Sequence, residues 1–293
     1  MRGLFIGLLS LGGLISFCFL MFVSDSVSLF WLFLELCTLS LIPSFFMANE
    51  YISLVGLFNY IIVSSISSSL ILCGILCEGL LFMLIVGLLV KFGLFPFLGW
   101  VYSVCLNSNW FVVWGVSTFL KFPLFFLPFF LSFGGLESVF VVSCVTLVLL
   151  SVLFWVYSYS WYGCWCHMML SSSACLVASS LVVSSELILY LFLVYCVWCS
   201  LVILFLALYG FDGQMGVSSG GVGYYLFFCL LLLSFPFSFS VFYKLLLSVV
   251  MFSCGLAVMV CWVLYSISEQ FYLLKYLMSC SVPKSLFGVV SVV

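Results

Sequence analysis

The sequence predicts an all-α, polytopic transmembrane helical bundle of about ten spans, two of them discontinuous. Of its 293 residues, 68% are hydrophobic and only 5% are charged, whereas a soluble domain needs many more charges to cover its surface. Apolar runs long enough to cross a bilayer recur from one end of the chain to the other. These runs are apolar all round, so they do not alternate as the strands of a membrane barrel do.

The predicted spans follow one another with short connections. They lie at 3–23, 27–48, 52–76, 79–102, 109–133, 138–157, 165–184, 187–209, 222–247 and 249–272. The first run is too long for the apolar part of a signal peptide, so we interpret it as a span. The longest polar connection, at 210–223, is rich in Gly and Ser and predicts a flexible loop, and the tail after Pro283 is too short to span. Together these features predict one integral-membrane domain over 1–293.

Composition excludes several classes of function. The net charge of −2, from six basic and eight acidic residues, leaves no basic face for nucleic acid. Most of the fifteen cysteines lie in predicted spans, where cysteine behaves as a small hydrophobic residue. The excess of Phe, Leu, Val, Cys, Gly and Trp favours codons rich in T and G, which is typical of a skewed organellar genome.

No motif for a nucleotide, a flavin or a catalytic nucleophile occurs in the chain. The stretch GCWCHMM at 163–169 contains two cysteines and His167, but C-x-C-H is not a usual zinc spacing. We therefore expect no metal site and no bound cofactor, and we expect His167 at a helix start that faces the membrane interface.

The charged residues separate into two groups when they are placed on the spans. Those near span edges are expected to be solvated, and the acidic ones are Asp25, Glu50, Glu78, Glu137, Glu186, Asp212 and Glu269. Four others lie inside spans, and they are Glu35, Lys91, Lys121 and Lys244. Since a charge at the bilayer centre costs about 3 kcal/mol, they predict a hydrated polar line within the bundle.

Such a line has a chemistry of its own. Burial in apolar surroundings favours the neutral form of an amine, whereas a nearby carboxylate favours the protonated form. Lysines that are linked by water and opposed by a switchable carboxylate can therefore relay protons. Purely structural ion pairs are the alternative interpretation of the same four residues.

Prolines lie close to the lysines and predict interrupted helices. Pro96 removes the backbone hydrogen bond to the Phe92 carbonyl beside Lys91, and Pro236 removes the one to the Leu232 carbonyl ahead of Lys244. Pro123 would leave the Phe119 carbonyl free after Lys121 in the same way. Freed carbonyls at membrane depth are tolerated where they face protein or a water-filled cavity, and broken helices mark ion paths in transporters.

Five segments, taken in order, resemble a known family. They are WLFLELCTLSLIPSF at 31–45, LLVKFGLFPFLGWV at 88–101, FLKFPL at 119–124, SSSACLVASS at 171–180 and SFPFSFSVFYK at 234–244. This series is similar to subunit 2 of mitochondrial NADH:ubiquinone oxidoreductase, an antiporter-like membrane subunit of respiratory complex I. The resemblance covers about 27–250 and leaves a C-terminal helix and short tail at 249–293.

The resemblance implies a role for each buried charge. Glu35 matches the family's mid-membrane glutamate, and Lys91 matches the lysine of the first broken helix, which pairs with that glutamate. Lys121 matches the central lysine of the next helix, and Lys244 the lysine at the second broken helix.

The chain also departs from the family. Tyr102 and Ser103 replace a proline and an acidic residue, and Cys175 stands where the family often has histidine. The stretch before Lys244 lacks the usual glycines, and ten spans replace the usual eleven.

By resemblance, the chain is expected to be a proton-translocating, non-redox subunit in the mitochondrial inner membrane. FMN, iron–sulfur clusters and ubiquinone would be bound elsewhere in the complex. The expected partners are other membrane-arm subunits and lipids such as cardiolipin. A different antiporter-like subunit, a stand-alone cation/proton antiporter and a non-pumping structural subunit remain as alternatives.

Overall fold

The structure is a computed structural model that describes residues 2–47, 51–77, 80–128, 136–209 and 222–281. Its α-helices are α1 Arg2–Val23, α2 Val27–Ser40, α3 Ile42–Phe45, α4 Tyr51–Leu76, α5 Leu81–Phe92, α6 Gly99–Leu106, α7 Trp110–Ser117, α8 Leu136–Val156, α9 Trp161–Ser180, α10 Ser185–Leu208, α11 Val222–Leu231, α12 Phe239–Ser253 and α13 Leu256–Ser281. A 3₁₀ helix, Phe119–Phe126, follows α7. No strand occurs in these ranges.

The predicted polytopic helical bundle is confirmed. Six helices of the described chain are long and apolar enough to cross a membrane, and three shorter apolar helices accompany them. Most of the predicted loop at 210–223, and the whole tail after Pro283, lie outside the described residues.

Helix α9 forms the centre of the bundle. Every residue of Trp161–Ser180 is buried except the partly exposed Tyr162. The helix is nevertheless one of the more polar ones, since it carries His167 and a run of three serines at 171–173. It packs against α6, α8, α10, α12 and the 3₁₀ helix. A helix with this many hydroxyls is stable inside an apolar bundle because its serines donate to carbonyls of the preceding turn.

The first interruption follows α5. Gly93 has φ +66, a conformation that glycine adopts without a steric penalty. Its amide donates to the Val90 carbonyl at 3.1 Å, and the Leu94 amide donates to the Leu89 carbonyl at 3.0 Å, which is the Schellman pattern of a helix end. The helix therefore ends at Gly93. Pro96, which was predicted to interrupt the helix, lies three residues later, in the turn that leads to α6.

The second interruption lies between α11 and α12 and contains Pro236. Ser238 caps α12 by accepting from the Val241 amide at 3.2 Å, and the Ser240 hydroxyl donates to the Leu233 carbonyl at 2.7 Å. Side chains thus take over the hydrogen bonds that a continuous helix would make.

The end of the chain departs from the predicted spans. Helix α12 continues to Ser253, beyond the predicted end at 247, and α13 begins at Leu256 and not at 249. Gly255, at φ +112, separates the two helices. This shift moves Glu269 from the expected end of a span to the middle of a 26-residue helix.

A third interruption surrounds Lys121. The predicted span 109–133 is not one regular helix, because α7 ends at Ser117 and the chain continues as a 3₁₀ helix that contains Pro123. The Phe119 carbonyl, which Pro123 was predicted to free, accepts a long hydrogen bond from Cys18 Sγ at 3.9 Å. A stretch of 3₁₀ helix within a span often marks a functional hinge.

Candidate polar relay at the bundle centre

The three predicted lysines stand at three helix interruptions. Lys91 occupies the last turn of α5, Lys121 lies in the 3₁₀ helix, and Lys244 lies in the second turn of α12. Lys91 and Lys121 are only 8% and 3% exposed, and the side chain of Lys244 is 15% exposed. Lys91 and Lys121 are therefore buried and Lys244 is partly exposed, and each lies near backbone that is not regular α-helix.

Lys121 is held by neutral oxygen atoms. Its Nζ donates to the Met169 carbonyl at 3.0 Å, to Ser172 Oγ at 2.6 Å and to Tyr195 Oη at 2.9 Å. Met169 and Ser172 belong to α9, and Tyr195 belongs to α10, so the amine joins two helices. An ammonium group has three donors, and these three acceptors use all of them.

Replacing Tyr195 with phenylalanine tests this set of acceptors. Tyr195→Phe removes one acceptor and keeps the buried ring. We expect the free energy of unfolding to fall by about 1 kcal/mol, the net contribution of one hydrogen bond, as measured by thermal unfolding. Tyr190→Phe is the matched control, because Tyr190 lies on the same helix with half of its surface exposed. Equal stabilities of the two variants would contradict the role of the hydroxyl.

Glu35 and Lys91 do not form the ion pair that the resemblance implies. Glu35 Oε2 and Lys91 Nζ are both buried, and neither has a hydrogen-bond partner among the described residues. The two groups are close enough to interact electrostatically. The position of Lys91 also suits a cation, because the carbonyl end of a helix carries a partial negative charge.

Small cavities lie beside the lysines. One of about 10 Å³ lies between Lys91 and the hydroxyls of Thr38, Tyr60, Ser64 and Ser67. A second, of about 20 Å³, is lined by both Lys91 and Lys121. Since a cavity needs roughly 10–15 Å³ to hold one water molecule, the second cavity can hold a water between the two amines.

A third cavity, also of about 20 Å³, continues the line on the other side of Lys121. It is lined by Ser172, which accepts from Lys121, and by Lys244, Glu269, Cys175 and Tyr243. Tyr243 Oη is buried without a hydrogen-bond partner in the described chain. The structure therefore places Lys91 and Lys121 on one small cavity, and Lys244 on another that reaches Ser172, an acceptor of Lys121.

The interpretation of Glu269 as a solvated end is wrong. Glu269 is 4% exposed, and its carboxylate forms an ion pair with Lys244 Nζ at 2.9 Å, the one ion pair within the described ranges. The sequence missed it because the predicted last span ended only three residues after it. Gly255 is the signal that could have found it, since a helix that starts after this glycine places residue 269 at its middle.

The structure agrees with the prediction for three other acidic residues and disagrees with the one for His167. Asp25, Glu137 and Glu186 are exposed, as expected for span ends, whereas Glu50, Glu78 and Asp212 lie outside the described residues.

The expectation that His167 faces the membrane interface is wrong, because it is fully buried and its Nδ1 lies 2.6 Å from Tyr102 Oη. Its helix begins at Trp161, so six residues precede it and place it in the packed interior.

Within the described chain, no three side chains of His, Cys, Asp or Glu are grouped as a metal site would require. The buried polar groups include lysines, hydroxyls, the Glu269 carboxylate and the His167 imidazole. This set of groups can hold and exchange protons.

Two solved structures share this fold. A chain in the structure of respiratory complex I from Thermus thermophilus with bound aureothin superposes with a TM-score of 0.78 at 16% identity, covering 96% of this chain and 75% of that one. A chain of the Mrp complex from Dietzia sp. DQ12-45-1b superposes with a TM-score of 0.74 at 14% identity, covering 92% of this chain and 60% of that one. No protein-family description and no curated protein matches the sequence.

Proposed function

We propose that this chain is a proton-translocating, non-redox membrane subunit of a respiratory NADH:ubiquinone oxidoreductase. The observation that carries the proposal is the placement of the three lysines around one central helix: Lys91 and Lys121 line one cavity, and Lys244 lines another together with Ser172, which accepts a hydrogen bond from Lys121. Placing three amines within an apolar bundle costs several kcal/mol. A bundle with only a structural role does not require them. The fold shared with a chain of complex I supports the same assignment.

Lys121 is the proposed central proton carrier. When it is protonated, its three N–H groups donate to Met169 O, Ser172 Oγ and Tyr195 Oη. When it is neutral, the nitrogen becomes an acceptor, and the Tyr195 hydroxyl can rotate and donate to it. Both protonation states thus remain satisfied by the same residues, so a proton can arrive or leave with little rearrangement.

The proposed control of Lys121 comes from Lys91 and Glu35. A charged Lys91 opposes a second charge on Lys121 across their shared cavity, because like charges repel strongly in a medium of low dielectric constant. If Glu35 moves onto Lys91, the pair becomes neutral and Lys121 can accept a proton from a water in the cavity. When the pair separates again, Lys121 releases that proton toward the cavity that Lys244 lines.

The finer assignment follows the resemblance. We propose subunit 2 of the mitochondrial enzyme, in the inner membrane, in contact with other membrane-arm subunits and with lipids such as cardiolipin. FMN, iron–sulfur clusters and ubiquinone would be held by other chains. Redox energy released there would reach this subunit as a shift of charge at Glu35.

A stand-alone or Mrp-like cation/proton antiporter is the second candidate. The chain of the Mrp complex is almost as similar in fold as the chain of complex I, and a relay of lysines suits either machine.

Native electrophoresis of the source membranes separates the two candidates. We expect antibodies against this chain to detect it in a large complex that reduces an artificial electron acceptor with NADH in the gel. Recovery only in a small complex without that activity would overturn the assignment to the oxidoreductase and favour the antiporter.

A further inference from the structure

A lateral groove lies on the outer side of the Lys244–Glu269 ion pair. It runs between α12 and α13, has a volume of about 390 Å³, and is mostly apolar. Its polar lining consists of Ser234, Lys244, Ser248, Ser266 and Gln270. Lys244 lines both this groove and the inner cavity next to the Lys121 acceptors, whereas Glu269 lines the inner cavity. The ion pair therefore stands at the boundary between the relay and the side of the bundle.

Gln270 ties this boundary to the second helix interruption. Its Nε2 donates to Glu269 Oε1 at 3.1 Å and to the Leu232 carbonyl at 3.4 Å, and its Oε1 accepts from the Ser234 amide at 2.9 Å. The Leu232 carbonyl is the one that Pro236 deprives of its helical partner. One amide side chain thus holds the interruption and the carboxylate together.

We propose that Glu269 and Gln270 form a latch that holds Lys244 at the boundary and closes the inner cavity to the lateral groove. The inference rests on the proposed function, to which it adds a gate and two positioning residues. In the closed state, Lys244 Nζ is held by Glu269 Oε1. Release of the pair frees a long flexible side chain, which can then turn into the groove and donate to the hydroxyls of Ser248 and Ser266.

The latch gives the interruption between α11 and α12 a mechanical role. A movement of the chain at Leu232 or Ser234 pulls on the Gln270 amide, and that amide shares Glu269 Oε1 with the lysine. Conversely, a change in the charge of Lys244 alters the hydrogen bond that Gln270 Nε2 donates to Glu269 Oε1, because Lys244 shares that oxygen. Opening of the gate and rearrangement of the broken helix are therefore coupled through three adjacent polar groups.

Native Cys175 reports on this gate without any measurement of pumping. It is 1% exposed and lines the inner cavity with Lys244 and Glu269. In the assembled complex in native membranes, we expect Cys175 to react with a small methanethiosulfonate reagent at least tenfold faster in Glu269→Gln than in the wild type. Mass spectrometry of the labelled peptide distinguishes Cys175 from the other cysteines. Gln270→Leu should give a smaller increase, because it breaks the tie to the interruption and leaves the ion pair formed.

Three controls keep the outcomes distinct. Glu186→Gln changes an exposed glutamate and should leave Cys175 unreactive. Ser248→Cys places a thiol in the groove and should react in every background, and its failure to react would show that the groove is closed in the complex and would overturn the gate. If Glu269→Gln does not assemble, the exchanged pair Lys244→Glu with Glu269→Lys should restore assembly and keep Cys175 protected.

The gate and the proposed function can fail separately. Unchanged reactivity of Cys175 in Glu269→Gln would overturn the latch, whatever the rate of pumping. Increased reactivity in a complex that pumps protons normally after removal of the Lys121 amine would uphold the latch and overturn the relay.

Discussion

Lys121→Met is expected to abolish most proton translocation by the assembled complex. Methionine matches the length of the lysine stem but has no donor, so the Met169 carbonyl, Ser172 and Tyr195 lose the amine that joins them. Since methionine has no group that accepts or gives up a proton, the proposed relay loses its central carrier, and we expect translocation to fall by about tenfold or more.

The measurement is the acidification of proteoliposomes that contain purified complex, with NADH as the electron donor and the rate normalised to the amount of assembled enzyme. Lys275→Met is the matched control, because Lys275 is exposed and its Nζ lies 5.6 Å from the centre of the Trp155 ring. It should pump at the wild-type rate.

Two results would separate the alternatives for Lys121. Normal pumping in Lys121→Met would contradict the relay. Loss of assembly with unchanged turnover per remaining complex would instead support a purely structural lysine, which is the third interpretation of the sequence. The control variant guards against a general effect of removing one positive charge from the chain.

Part of the proposed relay can be predicted from the sequence because a lysine in an apolar run is costly. Lys91, Lys121 and Lys244 interrupt long apolar stretches, and the cost of burying each amine is high enough to single them out. Their arrangement around one helix could not be predicted in this way. It depends on α9, whose serines and His167 make it one of the more polar helices, although it is the most deeply buried.

The burial of Glu269 could not be predicted from the sequence. Hydropathy does not record where a helix turns, so a carboxylate near the edge of an apolar run cannot be distinguished from one at the middle of a displaced helix. The displacement here comes from Gly255, whose φ of +112 ends the turn after α12. The contacts of Lys121 with Ser172 and Tyr195 were equally beyond reach, since they join residues 51 and 74 positions apart.

Substitution of Gly93, at the first interruption, is expected to have a large effect on stability. This residue has φ +66, and a Cβ atom on it would overlap Val101 Cγ2 and lie 3.2 Å from Leu170 Cδ2. The left-handed conformation costs a residue with a side chain about 1–2 kcal/mol, and overpacking of a core costs about 1–3 kcal/mol more. We therefore expect Gly93→Ala to destabilise the subunit by about 2–5 kcal/mol, a large part of the stability of a typical domain.

Gly99 provides the matched control within the same interruption. A Cβ atom on Gly99 would meet nothing within 4 Å, and alanine favours the start of α6. Native electrophoresis after mild heating should show much less assembled complex for Gly93→Ala and a normal amount for Gly99→Ala.

Equal amounts of complex in both variants would mean that the helix can end elsewhere than at Gly93. A selective loss in Gly93→Ala would instead show that the fold depends on the helix end at this glycine. Lys91 lies two residues before Gly93, in the last helical turn, so any shift of the helix end moves its amine relative to Glu35 and to the cavity shared with Lys121. Gly93, which ends the helix, therefore helps to set the position of Lys91 in the proposed relay.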